Sequence, residues 1–146
     1  MKLVVRRLKM EDVQPLSIIE AEAFSMPWSA ESFAELIEKA YCLCLVAEAD
    51  GKVAGCCVMT DLCGEGSIDK VVVAKAFRGR GIAQRMLQEL LLLAKERGIG
   101  DITLEVRDGN EPAIHIYEKL GFVSEGIRPG FYEKPVEDPL IMWRRR

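Results

Sequence analysis

Hydrophobic and polar residues follow two different periods along the chain, and each period predicts one kind of secondary structure. Apolar residues spaced three or four apart, as at Leu16, Ile19 and Ala23, are typical of amphipathic helices. Four helices are predicted on this basis, over residues 11–24, 29–39, 81–97 and 112–120. Short apolar runs rich in β-branched residues predict strands over residues 3–7, 41–49, 52–61, 66–74 and 101–107, with a last strand in the tail.

Residues at the ends of these segments favour the same boundaries. Ser29 and Asn110 are suited to cap the second and fourth helices, and Gly121 is suited to end the fourth. Asp50-Gly51 predicts a tight hairpin between two strands. After two helices, antiparallel strands fill the first half of the chain, whereas strands and helices alternate in the second. This order predicts an α/β or α+β fold, with a mixed sheet that has helices on both faces.

Length and charge narrow the class of protein. A chain of 146 residues that is 49% hydrophobic and 29% charged is typical of one compact domain, here spanning residues 1–146. Its net charge of −3 gives no general attraction to nucleic acid or to an anionic membrane. No apolar stretch is long enough to span a bilayer. From the charge and the lack of such a stretch, we expect neither nucleic acid nor membrane among the direct partners.

The cysteines and the single histidine do not form the spacing patterns of common metal sites. The five cysteines have no CxxC spacing and lie in strand-like apolar runs, which indicates buried free thiols in a reducing cytoplasm. His115 is the only histidine, and we expect it on the surface or in helix packing. We therefore expect no metal.

The loop before the third predicted helix carries the first candidate site. Arginine and glycine alternate over residues 78–81, directly after a β-branched strand. Glycines let the backbone approach a ligand closely, and a helix start offers unbonded N–H groups and a partial positive charge. With Arg78, Arg80 and Arg85 nearby, the loop is suited to a pyrophosphate. A surface connection with solvated arginines is the alternative, and the loop matches neither a P-loop nor a dinucleotide motif.

A glutamate in the following strand is the candidate base. Side chains alternate along this strand, so Glu105 faces away from Ile102 and Leu104. If helices cover both faces of the sheet, Glu105 lies in an interior or cleft position, where burial raises a carboxyl pKa toward that of a general base. The alternative is a glutamate facing the sheet edge and paired with Arg107 or a lysine.

A tyrosine in the fourth predicted helix is the candidate acid. Tyr117 shares a helix face with Ala113, Ile114 and Leu120, and a packed core tyrosine is its default interpretation. A phenol directed into a cleft can also protonate a departing thiolate.

The order of these motifs resembles the GNAT superfamily of acetyl-CoA-dependent N-acetyltransferases. The resemblance rests on Arg78-x-x-Gly81-x-Ala83 after a valine-rich strand, on Asn110, and on the stretch IYEKLGF over residues 116–122. It covers nearly the whole chain. It implies a splayed, mostly antiparallel sheet of six to seven strands, with acetyl-CoA as the cosubstrate.

The same resemblance gives the candidate residues their roles. The loop backbone would hold the CoA pyrophosphate, the edge of the valine-rich strand would pair with the pantetheine arm, and Asn110 would contact that arm. The residues implied in cofactor binding are Val71, Val72, Val73, Arg78, Gly79, Arg80, Gly81, Ile82, Ala83, Asn110 and Tyr117. Glu105 would take a proton from the acceptor ammonium through water, and Tyr117 would protonate the CoA thiolate. The amine would then attack the thioester directly, without an acyl-enzyme.

Two further stretches resemble the bacterial ribosomal-protein-alanine acetyltransferases of the RimI type. They are residues 23–33, which contain Pro-Trp-Ser, and residues 126–142. The implied acceptor is the α-amine of the N-terminal alanine of ribosomal protein S18, in the cytoplasm. The residues implied around this peptide are Trp28, Arg128, Tyr132, Glu137 and Asp138. Trp28 is interpreted first as an anchor between the first two helices, and Arg128, Glu137 and Asp138 have a solvated loop as their alternative.

The chain departs from the subfamily pattern at two positions. Phe131 stands where a tyrosine is usual, which removes one hydroxyl near the expected peptide groove, and Pro139 stands where an alanine is usual. Two other hypotheses stay open. One is a GNAT enzyme acting on a small amine or a lysine side chain. The other is a non-catalytic module that only binds acyl-CoA, which would need neither Glu105 nor Tyr117.

Overall fold

The computed structural model describes residues 1–127 and 139–146, in which seven strands and four α-helices are formed. The strands are β1 (Leu3–Arg7), β2 (Cys42–Ala49), β3 (Lys52–Leu62), β4 (Glu65–Val73), β5 (Ile102–Arg107), β6 (Val123–Ile127) and β7 (Pro139–Arg144). The helices are α1 (Val13–Ala23), α2 (Ala30–Glu38), α3 (Ile82–Glu96) and α4 (Glu111–Lys119). Every predicted helix and strand is present within two residues of its expected ends. One strand of the structure was not predicted: β6 lies where the pattern indicates no strand.

The seven strands form one sheet in the order β1-β2-β3-β4-β5-β7-β6. Only β4 and β5 pair in parallel, and every other neighbouring pair among the described strands is antiparallel. This arrangement confirms the mixed, mostly antiparallel sheet expected from the sequence. The hairpin between β2 and β3 is also confirmed, since Asp50 and Gly51 both have positive φ angles (50° and 82°), as a tight turn requires.

Helices pack on both faces of the sheet and bury two separate apolar clusters. On one face, α1 and α2 enclose Leu16 and Phe33 against Val46 and Val72. On the other face, α3 and α4 pack on alternate residues of the central strands, with Leu104 among them. None of the described helices is long and apolar enough to cross a membrane. A side chain of the sheet therefore points either toward α1 and α2 or toward α3 and α4, depending on the face on which it lies.

The sheet opens between β4 and β5. Their pairing covers Gly66 to Ile68 of β4 and ends at the pair Ile68 and Leu104. The register of β4 against β3 shifts at the same place, because Val58 pairs with Lys70 and the next residue, Met59, with Ile68. One extra residue, Asp69, is thus bulged, and a bulge bends its strand. Beyond it, β4 pairs with β3 alone among the described strands, which leaves one edge of β4 available to a ligand.

The cysteines divide between the core and the surface. Cys42, Cys44, Cys56 and Cys57 are buried in β2 and β3 as expected, whereas Cys63 is exposed in the turn after β3. The expectation that all five are buried is therefore wrong for Cys63, which belongs to a turn and not to the apolar run before it.

The difference in burial predicts how the thiols react. Burial raises the pKa of Cys57 far above its ordinary value, and the neighbouring Cys44 thiol together with burial raises that of Cys56. Because only the thiolate reacts, we expect 5,5′-dithiobis(2-nitrobenzoic acid) to modify Cys63 alone in the native protein at pH ~8, and the four buried thiols only after unfolding. The control Cys63→Ser should abolish the fast phase. A second fast thiol in the native protein would contradict the burial of these side chains.

Candidate active site

A cavity of about 420 Å³ opens between the free end of β4, the start of α3 and helix α4. Nine of the residues implied in cofactor binding line it: Val71, Val73, Arg78, Gly79, Gly81, Ile82, Ala83, Asn110 and Tyr117. Residues that lie up to 46 positions apart in the chain thus meet at one site. The folding of β4 beside α3 and α4 brings them together.

Several lining residues are not among those expected from the sequence. They are Phe77, Gln84, Leu87, Pro112, Ala113 and Ile116. Ala113 precedes Tyr117 by one helical turn, so helical spacing was the available signal for this residue. Most of these side chains are apolar, which suits the cavity to a ligand with an extended apolar or amide-containing arm.

Val72 and Arg80 are the two expected residues that do not line the cavity. Val72 is buried in the cluster beneath α1 and α2, because successive strand residues face opposite sides. Its backbone still belongs to the free edge of β4. The Arg80 guanidinium lies over the Phe77 ring, 5.7 Å from the ring centroid.

The loop arginines have different environments. Arg78 Nε donates a hydrogen bond of 3.1 Å to the Val73 carbonyl at the end of β4, which ties the loop to the strand. Arg85 pairs with Glu89 at 3.5 Å, one helical turn away, and both side chains are exposed. Of Arg78, Arg80 and Arg85, Arg78 is the one that lines the cavity.

The start of α3 offers backbone donors to the cavity. Gly81 caps the helix with a φ angle of 76°, a conformation that favours glycine, and it has no side chain to accept a hydrogen bond. The Arg85 N–H donates to the Gly81 carbonyl at 3.1 Å. By helical geometry the N–H groups of Ile82, Ala83 and Gln84 have no acceptor within the helix. All three residues line the cavity, so this end of it is suited to an anion.

Asn110 and Tyr117 place α4 against the same cavity. Asn110 Oδ1 accepts a hydrogen bond of 3.3 Å from the Ala113 N–H, which confirms the predicted cap. Tyr117 is buried and packs edge-on against Phe122, with ring centroids 5.9 Å apart. Burial, with a smaller contribution from the nearby Cys57, raises the pKa of Tyr117 to about 12. The phenol therefore keeps its proton near neutral pH and is suited to be a donor.

Glu105 is exposed, so of the interior and cleft positions expected for it the interior one is wrong. Ile102, Leu104 and Val106 of β5 are buried toward α3 and α4, and Glu105 faces the opposite side. On that side α1 packs on β3 and β4, and α2 packs on β2. Glu105 directly follows the last residue of β5 that pairs with β4. It therefore lies at the opening of the sheet, on the face opposite Tyr117.

The expected peptide-binding residues fall into two groups. Trp28 lies between α1 and α2 and packs on Phe33, with ring centroids 5.5 Å apart, as an anchor would. Arg128, Tyr132, Glu137 and Asp138, together with Phe131, lie outside the described residues. Within residues 1–127 and 139–146, no group of three or more His, Cys, Asp or Glu side chains could hold a metal ion.

Comparison with known proteins agrees with this geometry. Residues 13–122 match the model of the acetyltransferase (GNAT) family. A Bacillus subtilis protein is 36% identical over 143 residues, which are 97% of this chain and 95% of that one; it is named, provisionally, a ribosomal protein bS18-alanine N-acetyltransferase.

Solved structures share the fold. The crystal structure of the ribosomal-protein-S18-alanine N-acetyltransferase from Escherichia coli has a TM-score of 0.88 at 27% identity, over 99% of this chain and 94% of that one. The PaiA N-acetyltransferase from Thermoplasma acidophilum, solved in complex with coenzyme A, has a TM-score of 0.83 at 20% identity over 100% of both chains. The match over residues 13–122 and the shared fold lead to one conclusion: this chain belongs to the GNAT family of acetyltransferases.

Proposed function

We propose that the chain transfers the acetyl group of acetyl-CoA to the N-terminal α-amine of a protein, and that the acceptor is the N-terminal alanine of ribosomal protein S18. The observation that carries the reaction is the opening between β4 and β5, with the Tyr117 cavity on one face and Glu105 on the other. The acceptor is supported by the names of the Bacillus subtilis and Escherichia coli relatives.

The cavity fits the parts of acetyl-CoA in order. The unbonded N–H groups at the start of α3 suit the pyrophosphate, because a helix N-terminus favours anions. The free edge of β4 suits the amide-bearing pantetheine arm, whose amides can pair with it as a strand would. When bound, acetyl-CoA supplies a thioester as the acyl donor. Residues Arg78 to Ala83, Val71 to Val73 and Asn110 hold it in this proposal.

Glu105 and Tyr117 divide the proton transfers between the two faces. Glu105, exposed at the opening, takes a proton from the acceptor ammonium through water. The free amine then attacks the thioester carbonyl carbon, and as the carbon–sulfur bond breaks the nitrogen releases its second proton to water, which leaves the amide. Tyr117, protonated and within the cavity, gives its proton to the departing thiolate. No covalent acyl-enzyme is needed.

An α-amine suits this arrangement better than a lysine side chain does. The α-amino group has a pKa of ~8, whereas that of a lysine is ~10.4, so the α-amine loses its proton far more readily near neutral pH. A single exposed carboxylate with a water molecule is sufficient for that task. A ribosomal protein acceptor would meet the enzyme in the cytoplasm.

The experiment that tests the proposal is acetyl transfer to three acceptors side by side. They are a peptide with the N-terminus of ribosomal protein S18, a lysine peptide whose α-amine is blocked, and spermidine. We expect turnover of the first alone. Turnover of the lysine peptide or spermidine alone would overturn the acceptor but keep the chemistry. If none of the three acceptors is acetylated although CoA binds, the result would favour a module that binds acyl-CoA without reaction.

Glu105→Gln tests the base. We expect the variant to bind CoA as the wild type does, and its acetylation rate to fall by about 10²-fold, the lower end of what general bases contribute. The defect should be largest at low pH, because at high pH the acceptor amine loses its proton to solvent. Steady-state rates between pH ~6 and ~9 measure this. Glu118→Gln on α4 is a suitable control. Equal rates for wild type and Glu105→Gln across that range would remove Glu105 from the mechanism.

A further inference from the structure

A groove lies at the end of α3 and α4 that is opposite the Tyr117 cavity. Its volume is about 670 Å³, and it is bounded by the carboxyl ends of these two helices and by the end of β7. The Tyr117 cavity, by contrast, is lined from the amino ends of the same helices, for example by Ile82 and Asn110. The proposed acetyl transfer therefore gives the groove no role.

The side chains that line this groove carry a concentration of positive charge. Five of them are cationic: Lys95, Lys119, Arg144, Arg145 and Arg146. Among the described residues, no aspartate or glutamate lines it. Since the whole chain has a net charge of −3, the positive charge is a local feature, and we refer to this surface as the basic groove.

Two of the five cations have partners within the protein. Arg144 Nε donates a hydrogen bond of 3.0 Å to the Leu120 carbonyl at the end of α4. The Arg145 guanidinium donates hydrogen bonds to the carboxylates of Glu125, at 2.7 Å, and Asp101, at 3.2 Å. These contacts explain both arginines without a ligand.

The other three cations have no such explanation. Within residues 1–127 and 139–146, the side chains of Lys95, Lys119 and Arg146 form no ion pair. The carboxyl end of a helix favours cations, which accounts for the two lysines in part. It does not account for Arg146, whose backbone N–H donates to Asp101 at 2.9 Å and whose side chain lies over Gly100. The three charges are thus available to an anion from outside the chain.

Apolar side chains line the groove beside these cations. Leu91 and Leu92 lie one helical turn before Lys95 on α3, and Leu120 follows Lys119. Leu92 is 59% exposed. In the described part of the chain no aromatic ring, on which a nucleic-acid base could stack, lines the groove. The groove therefore fits an acidic peptide that carries apolar side chains better than it fits a single strand of nucleic acid.

We propose that the basic groove binds an acidic segment of a partner protein. Lys95, Lys119 and Arg146 pair with its carboxylates, and Leu92 packs on one of its apolar side chains. Complementary charge brings the segment to the groove, and the apolar contact selects among acidic segments. This site lies outside the proposed acetyl transfer. Its occupant leaves the Tyr117 cavity free for acetyl-CoA, because the two sites are at opposite ends of α3 and α4.

A labelled peptide of repeated Glu-Leu-Glu-Glu units is the probe, and its fluorescence anisotropy with the full chain gives the Kd. Two matched peptides carry serine in place of each leucine, or lysine in place of each glutamate. We expect the Glu-Leu peptide to bind, the serine form to bind more weakly, and the lysine form not to bind. Because salt screens exposed charges, the Kd should rise at least about tenfold between about 0.02 M and about 0.3 M salt.

Lys95→Glu combined with Lys119→Glu tests the cations, and Lys2→Glu combined with Lys52→Glu is the matched control. All four lysines are exposed, and the two double variants change the net charge equally. Lys2 and Lys52 do not line the groove. At low salt we expect the first double variant to raise the Kd of the Glu-Leu peptide at least about tenfold, and the control to raise it less than about threefold.

Leu92→Ser tests the apolar contact. We expect it to weaken binding of the Glu-Leu peptide about threefold or more and to leave the Kd of the serine form unchanged, because only the first peptide loses an apolar partner. Urea denaturation shows whether each variant is folded. If the double glutamate variant fails to fold, Lys95→Gln combined with Lys119→Gln replaces it.

Four results would overturn the inference. They are no binding of the Glu-Leu peptide to the wild type at low salt, equal Kd values for the groove variant and its control, equal wild-type Kd values for the leucine and serine peptides, and release of the peptide by excess CoA. The last would place the peptide in the Tyr117 cavity. A uridine oligonucleotide that binds more tightly than the peptide, and no longer binds the groove variant, would assign the groove to nucleic acid instead. None of these measurements depends on acetyl transfer, so the two proposals can fail separately.

Discussion

Replacing Tyr117 by phenylalanine is expected to lower the kcat for acetyl transfer by about 10²–10³-fold, within the range that general acids contribute. The departing thiolate then loses the phenol as its proton donor, whereas the apolar contacts of the ring with Phe122 remain. Single-turnover and steady-state rates measure the effect, and a CoA binding titration is expected to give a Kd within a few-fold of that of the wild type. His115→Ala, an exposed change on the same helix, is the control.

The pH dependence of the wild type follows from the same residue. Burial raises the pKa of Tyr117 from its ordinary 10.0 to about 12, so the acid stays protonated and kcat should show no alkaline fall below about pH 10. A group whose pKa is raised by folding stabilises the native state below its unfolded pKa. Its contribution is therefore lost as pH rises from about 10 through about 12. An alkaline fall near pH 8, or a Tyr117→Phe variant with wild-type kcat, would exclude Tyr117 as the acid.

Replacing Phe33 by alanine is expected to lower the free energy of unfolding by about 3–5 kcal/mol, the usual cost of removing a buried aromatic ring. Phe33 is fully buried under the sheet and supports the Trp28 ring. Domains of this size are stable by about 5–15 kcal/mol, so the loss is a large share of the total. Urea denaturation at 25 °C measures it.

Ile37→Ala on the same helix is the matched control. Ile37 is 40% exposed, so its truncation removes less buried surface and leaves no enclosed cavity, and we expect a loss of about 1 kcal/mol or less. A loss for Phe33→Ala that is no larger than this would contradict the packing of α2 on the sheet.

The sequence predicts those parts of the fold that depend on interactions between residues close in the chain. The Ser29 cap is confirmed by a hydrogen bond of 3.1 Å from the Ser32 N–H to Ser29 Oγ, the Asn110 cap by the corresponding bond from the Ala113 N–H, and the Asp50-Gly51 turn by its two positive φ angles. Each depends on residues that are adjacent in the chain. By contrast, β6 was missed because its three central residues, Ser124, Glu125 and Gly126, are not apolar and are exposed, and because its pairing with β7 contains a bulge. It is an edge strand that exists because β7 pairs with it.

The predictions for the candidate site also separate into those that follow from local sequence and those that depend on the tertiary structure. Alternation along β5 correctly predicts which residues share a face with Glu105, since the period of a strand is a local property. Its burial was predicted wrongly, because burial depends on where α1 and α2 pack after the chain has folded. Likewise, Val71 and Val73 reach the cavity and Val72 does not, although all three belong to one valine run.

The sequence by itself determined the helices and strands, their capping residues and the arginine-glycine loop before α3, because each arises from interactions between residues close in the chain. The tertiary structure decided where the sheet opens, through the bulge at Asp69 and the end of pairing at Ile68. It decided that Tyr117 and Glu105 lie on opposite faces of that opening. It also joined Glu20 to Lys70, which are 50 residues apart, at 2.8 Å. Such contacts depend on strand register and on helix packing, which no short stretch of sequence specifies.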